Sequence, residues 1–152
     1  MKEHFEFLRV SRQNTLNLIS NFDNNQLNQI PEGFNNNLIW NFGHLVVTQQ
    51  LLNYGLSGLP LHIEKSLVDN YKKGTKPEGI VSNEEIESLK KLFLSCVDQT
   101  ELDYQHGVFK SFKTYPTSFN ATLTSIKEAI AFNNIHEGLH LGYMMAMQRS
   151  IG

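Results

Sequence analysis

The run Asn37-Leu38-Ile39-Trp40-Asn41-Phe42-Gly43-His44-Leu45-Val46-Val47-Thr48-Gln49-Gln50-Leu51-Leu52-Asn53-Tyr54 decides the fold, because it lies in a segment, Gly33 to Ile63, with no Asp, Glu, Lys or Arg. A segment that long is able to span a bilayer. It also carries Asn35, Asn36, Asn37, Asn41, His44, Gln49, Gln50 and Asn53, whose side chains would be stranded in hydrocarbon. The pattern therefore predicts a helix buried inside a helical bundle, capped at its start by Asn36 or Asn37 and stopped by Gly55, Gly58 and Pro60.

Three further helices follow from apolar spacing on either side. The first, about Lys2 to Asn21, places Phe5, Leu8, Leu16, Ile19 and Phe22 on one stripe. Pro31-Glu32-Gly33 breaks the pattern before the charge-free helix. The third helix opens on the capping box Ser82-Asn83-Glu84-Glu85 and continues through Ile86, Leu89, Phe93, Val97 and Thr100. The fourth begins near Thr124 or Ser125, with Ser125 and Glu128 able to form a second box, and passes through Ile126, Ile130, Leu139, Tyr143 and Met147 toward Gly152.

Between the second and third helices runs a connection from Leu61 to Val81, with a short helical piece expected near Glu64–Tyr71 and a turn at Lys73-Gly74-Thr75-Lys76-Pro77. Such length inside a compact domain reads as a crossover or a cover. A second irregular stretch, Gln105 to Ala121, is aromatic, with Phe109, Phe112, Tyr115 and Phe119. No alternating run is long enough for a sheet. The expectation is an all-α, four-helix bundle with a long crossover, one domain over residues 1–152.

Composition excludes several functions. With 13 Lys and Arg against 15 Asp and Glu, the chain lacks the basic stripe of a nucleic-acid binder. A single cysteine, Cys96, rules out a disulfide framework or a Cys-based zinc site and reads as a small core residue. The start of the chain, Met1-Lys2-Glu3-His4, has no apolar secretory core, so a cytoplasmic location is expected, with no membrane and no nucleic acid as partners. No phosphate-binding loop or nucleophile elbow occurs.

Helices two and four carry the fewest charges, helix four having only Glu137 between Ala129 and Met147, so they are expected as the inner pair. Three of the six histidines lie on them: His44, His136 and His140. His136 and His140 stand one turn apart, about 40° around the axis, the spacing by which one helix offers two nitrogens to one metal. A lone buried histidine is more often a hydrogen-bonded core residue. A third at the centre of the facing charge-poor helix favours a metal, since three imidazoles unligated in one apolar interior are costly to satisfy. Three neutral nitrogens suit Zn²⁺ with one open position, or a facial set on Ni²⁺ or Fe²⁺.

His136-Glu137-Gly138-Leu139-His140 also matches the zincin pattern, but Tyr143 and Ala146 stand where metzincins carry Gly and His. Glu137 is the candidate catalytic base, with a helix–helix ion pair as its alternative role. Trp40, Asn41 and Tyr143 are the expected pocket lining, capped by residues 105–121. His4, His62 and His106, at the terminus or in connections, are expected in solvent.

Gly33-Phe34-Asn35-Asn36-Asn37-Leu38-Ile39-Trp40-Asn41-Phe42-Gly43-His44-Leu45, Gly74-Thr75-Lys76-Pro77 and His136-Glu137-Gly138-Leu139-His140-Leu141-Gly142-Tyr143, in that order, resemble the DinB/YfiT-like superfamily over nearly the whole chain. The resemblance implies a four-helix bundle with a crossover, a divalent metal held by His44, His136 and His140, and a homodimer. It further implies a small-molecule substrate and, from characterised relatives, a low-molecular-weight thiol cosubstrate for S-transfer or isomerisation. The function expected is that of a metal-dependent enzyme activating a thiol or water. The alternative is a non-catalytic metal-binding or dimerising bundle.

Overall fold

A computed structural model describes residues 1–152, and the chain is mostly helical. Four long helices, α1 (Lys2–Ile19), α3 (Leu38–Gln50), α5 (Asn83–Gln105) and α6 (Ile126–Met147), are joined through two short ones, α2 (Asn24–Asn28) and α4 (Lys65–Tyr71). α1 lies against α5 and α6, and α3 lies against the same two. None of the helices is long and apolar enough to cross a membrane.

Local chemistry places the helix starts. Asn37, in extended conformation, accepts the Trp40 amide at 2.8 Å and opens α3. Ser82 accepts the Glu85 amide and Ser125 the Glu128 amide. The second box is displaced, for Glu128 takes the Thr124 amide at 2.6 Å instead of that of the cap residue. The end of α3 departs from the expected plain stop: Leu51–Gly55 forms a π-helical turn, with the Leu56 amide bonded to the Leu51 carbonyl at 3.0 Å. The aromatic stretch also holds a two-residue hairpin, Tyr115–Pro116 with Thr122–Leu123, which no alternating pattern announced.

α3 is the inner helix. Twelve of its residues are buried, and its polar groups find partners inside: Gln49 donates to Thr100 at 2.7 Å, and Gln50 donates to Gln49 while accepting the His62 amide. The expectation that α6 shares this position holds on one face only. Ala129, Ile130, Met144 and Met147 are buried, but Ile135, Leu139 and Met145 are each more than half exposed. Low charge in α6 therefore marks an uncovered apolar face as well as a core face.

Beneath these helices sits one buried charge pair. Arg12, fully buried on α1, donates to Glu137 from Nε at 3.1 and 3.0 Å and from Nη2 at 2.6 Å. It also donates to the carbonyls of Phe93 and Leu45 and lies 4.5 Å from the centre of the Phe93 ring. A guanidinium has five donors in a rigid fork, so one side chain can reach α3, α5 and α6 together. Removing one member of such a pair strands the other in a dry interior. Glu137→Leu alone is expected to cost about 3–5 kcal/mol in urea unfolding. Joining it to Arg12→Met should recover most of that loss, so a double variant as unstable as the single would be the wrong result.

Candidate metal centre

The three histidines meet. His44 comes from the middle of α3, His136 and His140 from successive turns of α6, with ring centres 5.2 Å (His44–His136), 4.9 Å (His44–His140) and 4.5 Å (His136–His140) apart. One ligand atom from each lies within 4.8 Å of the others.

The surroundings fix which nitrogen each ring offers. His44 Nδ1 lies 2.7 Å from the Tyr71 carbonyl, which can only accept, so Nδ1 carries the proton and Nε2 keeps its lone pair. Asn41 orients His140 in the same way. Its amide nitrogen donates to Asn36 Oδ1 and the Asn37 carbonyl, both at 2.8 Å, which leaves Oδ1 to accept from His140 Nδ1 at 2.9 Å. Metal-bound histidines typically donate their second nitrogen to such acceptors. His136 Nδ1 is buried with no partner, an orphan that a cation or a water would satisfy. The set fits a divalent metal.

Trp40 stacks on His44 at 4.8 Å with an 11° angle between planes, and its indole donates to Thr75 Oγ1 at 3.1 Å. Gly43 lets α4 come this close: a Cβ there would stand 2.6 Å from the Tyr71 ring. With the Tyr71 ring seated on α3, its carbonyl reaches His44.

Burial holds all three rings in their neutral form. It pushes the His136 pKa down from 6.5 to about 3, with help from the neighbouring His140 and His44, and the His140 pKa to about 4, with help from His44. Burial lowers His44 as well, against the opposing pull of the Tyr71 carbonyl. Neutral imidazole is the form that binds a metal.

A cleft of about 230 Å³ adjoins His44 and His136, with Thr48, Leu51, Leu52, Phe119 and Phe132 among its walls. The Thr48 hydroxyl rests 3.3 Å from His44 Nε2. Residues Tyr115, Thr117, Ser118 and Phe119 line one side of it, as expected of the 105–121 stretch as a cover.

Several sequence expectations are corrected here. Glu137 does not reach the cleft: it is fully buried, bound to Arg12 and to Asn133 at 3.0 Å. One residue from His136 is about 100° around the helix, which turns the carboxylate toward α1 and leaves it no role as base. Trp40, Asn41 and Tyr143 do not line the cleft. Trp40 and Asn41 position His44 and His140 instead, and Tyr143 lies edge-on to Phe34 at 5.4 Å. His62 is exposed, as expected, and packs edge-on to Tyr54, 3.5 Å from Asp103. Cys96 is the core residue it was expected to be, and burial pushes the pKa of its thiol up. Thr48, Leu51 and Leu52 continue the His44 face of the helix by one and two turns, and Phe132 precedes His136 by one turn, so helical spacing alone could have found them.

Neutral burial carries a pH signature. In metal-free protein the unfolded chain takes up protons near pH 6.5, whereas folded His140 and His136 refuse them until about pH 4 and about pH 3. The unfolded state binds more protons across that window, so stability is lost as pH falls. Each histidine contributes a slope of up to about 1.4 kcal/mol per pH unit. Urea midpoints of chelated protein between pH 7 and pH 5 should fall more steeply than those of His136→Gln. Equal slopes would contradict the assignment.

No curated protein matches the chain. The family model described as the DinB superfamily matches residues 8–144, which include all three histidines. With that much of its length matched, and with His44, His136 and His140 brought together as the resemblance implies, the chain belongs to the DinB superfamily.

Proposed function

We propose that this chain is a four-helix bundle with a long crossover between α3 and α5, and that His44, His136 and His140 hold one divalent cation, Zn²⁺ or Ni²⁺ in preference to Fe²⁺. We read it as a metal-dependent enzyme that activates a thiol or water for S-transfer or hydrolysis. Paired contacts support the topology. Gln49 meets Thr100 and Tyr54 meets Asp103, so α3 and α5 run the same way. Only a connection traversing the length of the bundle can join parallel neighbours.

The observation that carries the catalytic reading is three neutral imidazoles, two with their tautomers fixed by the protein, opening beside an apolar cleft. A purely structural site is closed by four protein ligands, whereas a three-nitrogen set leaves a position for substrate or water. A cation bound there supplies a lowered pKa to the thiol or water in that position. The chain's own residues do the rest. Tyr71 and Asn41 aim two rings, Trp40 fixes the plane of the first, and Leu51, Leu52 and Phe132 exclude water from the cleft. Elemental analysis of purified protein should find about one divalent ion per chain. That ion should be lost in His136→Ala; unchanged metal content in the variant would end the proposal.

A second reading, a dimerising bundle, draws on the outer face of α6. Between Glu128 and Arg149 that face exposes Ile135, Gly138, Leu139, Gly142 and Met145 and no charged side chain. The occupant we propose is a second copy of the same helix: a two-fold contact sets a surface against itself, so an uncharged face meets no like-charge repulsion, and the glycines allow close approach. Light scattering on the full chain should give a dimer mass. Leu139→Lys should give a monomer of unchanged helicity, and a monomeric wild type would remove this reading.

A further inference from the structure

The cleft beside His44 and His136 is mainly apolar, with Leu51, Leu52 and Leu56 just past α3, Phe132 on α6 and Phe119 from the aromatic stretch, and it also carries the hydroxyls of Thr48, Thr117 and Ser118. Its volume, about 230 Å³, exceeds the roughly 150 Å³ that holds a benzene ring in an engineered protein cavity. A substituted ring or a branched chain of similar bulk therefore fits. The lining includes no Asp or Glu. Its one charged side chain is Lys73.

Lys73 has two properties that set it apart. It is the only lysine in the cleft lining, and there it is exposed and in no ion pair, a state it shares with Lys76, Lys91, Lys110, Lys113 and Lys127 elsewhere on the chain. Its backbone is also clamped on both sides. Tyr71 is held to His44 through its carbonyl, and Thr75 is held to Trp40 and to the carbonyls of Asn70 and Lys72. Between them Gly74 takes a positive φ of 91°, which turns the chain sharply. The crossover thus delivers one unpaired cation to the rim of an apolar cleft, in fixed register with His44. The long alkyl stem of lysine can lie along apolar wall while its ammonium stays at the water boundary.

We propose that the cleft selects a small organic acid, with an apolar body of ring size seated on the leucine and phenylalanine walls and a single anionic group paired with Lys73. This deepens the metal-dependent reading, on which it rests for any reaction, by naming the class of molecule brought to the histidines. Orientation follows from the same geometry. The acid group is retained at the rim by Lys73, so the opposite, apolar end of the molecule is the part presented toward His44 and His136.

The test uses the full chain after chelation, so that no metal competes for the acid group, with three probes of one shape: phenylacetate, its neutral amide phenylacetamide, and the cation 2-phenylethylamine. By titration calorimetry or ligand-observed NMR, wild type should bind the acid about fivefold more tightly than the amide, the scale of a partly exposed ion pair. Lys73→Gln should abolish that preference while leaving the affinity for the amide unchanged. Lys73→Glu should favour the amine, and Phe132→Ala should weaken all three. Equal binding of acid and amide by wild type, or a preference that survives Lys73→Gln, overturns the proposal. Metal content is read separately on His136→Ala. Loss of the acid preference with metal binding intact defeats only the ligand class, and an intact acid preference with no metal at the histidines defeats only the metal reading.

Discussion

One buried guanidinium links all four long helices. Arg12 contacts the carbonyls of Leu45 on α3 and Phe93 on α5 and the carboxylate of Glu137 on α6. Two of those partners are immediate sequence neighbours of site histidines: Leu45 follows His44, and Glu137 follows His136. Adjacent positions on a helix differ by about 100° in direction, so the same two turns face the charged node on one side and the imidazole cluster on the other. A buried ion pair adds little net stability over a well-packed apolar substitute, while its donors demand partners in fixed places. Its clearest consequence here is geometric: it holds α3 and α6 in the register that lets three rings meet.

How much of this could be read from the sequence depends on whether the determining contacts were local. Helix starts at Asn37, Ser82 and Ser125 are set within four residues, and they were legible. The convergence of His44 with His136 and His140 was legible because a charge-free helix has to be inside and an i,i+4 pair has to share a face. For Glu137 the sequence left two roles open, a base and a helix–helix ion pair, and the choice between them depended on Arg12, 125 positions away. By spacing Arg12 falls on the apolar stripe of α1, four residues from both Leu8 and Leu16, but nothing in the sequence names its partner there. The same limit applies to α6, where low charge cannot by itself distinguish a face packed on α1 and α3 from one such as Ile135, Leu139 and Met145 left to solvent. The π-helical turn at Leu51–Gly55 and the hairpin at Tyr115–Leu123 were likewise decided by what they pack against.

The imidazole cluster makes physical sense only in its neutral form. Charged together, three rings with centres about 5 Å apart would repel one another in a site largely closed to water. Kept neutral, with two Nδ1 protons committed to Tyr71 and Asn41, they present lone pairs that the protein leaves almost without partners, the 3.3 Å approach of Thr48 being the only contact to His44 Nε2. One of the ring nitrogens, His136 Nδ1, is both buried and without a partner, and an unsatisfied buried acceptor costs stability. The arrangement is therefore unfavourable as a structural device alone, and binding a cation would reverse the sign of that contribution.

The connection between α3 and α5 joins these threads. Two of its residues contact the site, Tyr71 at His44 and Thr75 at Trp40. Gly43 removes the one Cβ that would keep Tyr71 away. Tyr71 then aims His44, and the chain turns at Gly74 before Thr75 anchors to the Trp40 indole. A residue in that turn cannot drift far from the His44 ring, whatever its identity. This separates two properties that a loop usually trades against each other, a fixed backbone and a freely variable side chain. Position 73 stands two residues from each of those anchors, so a change of side chain there leaves the contacts to His44 and Trp40 in place, and in this chain that position is a lysine.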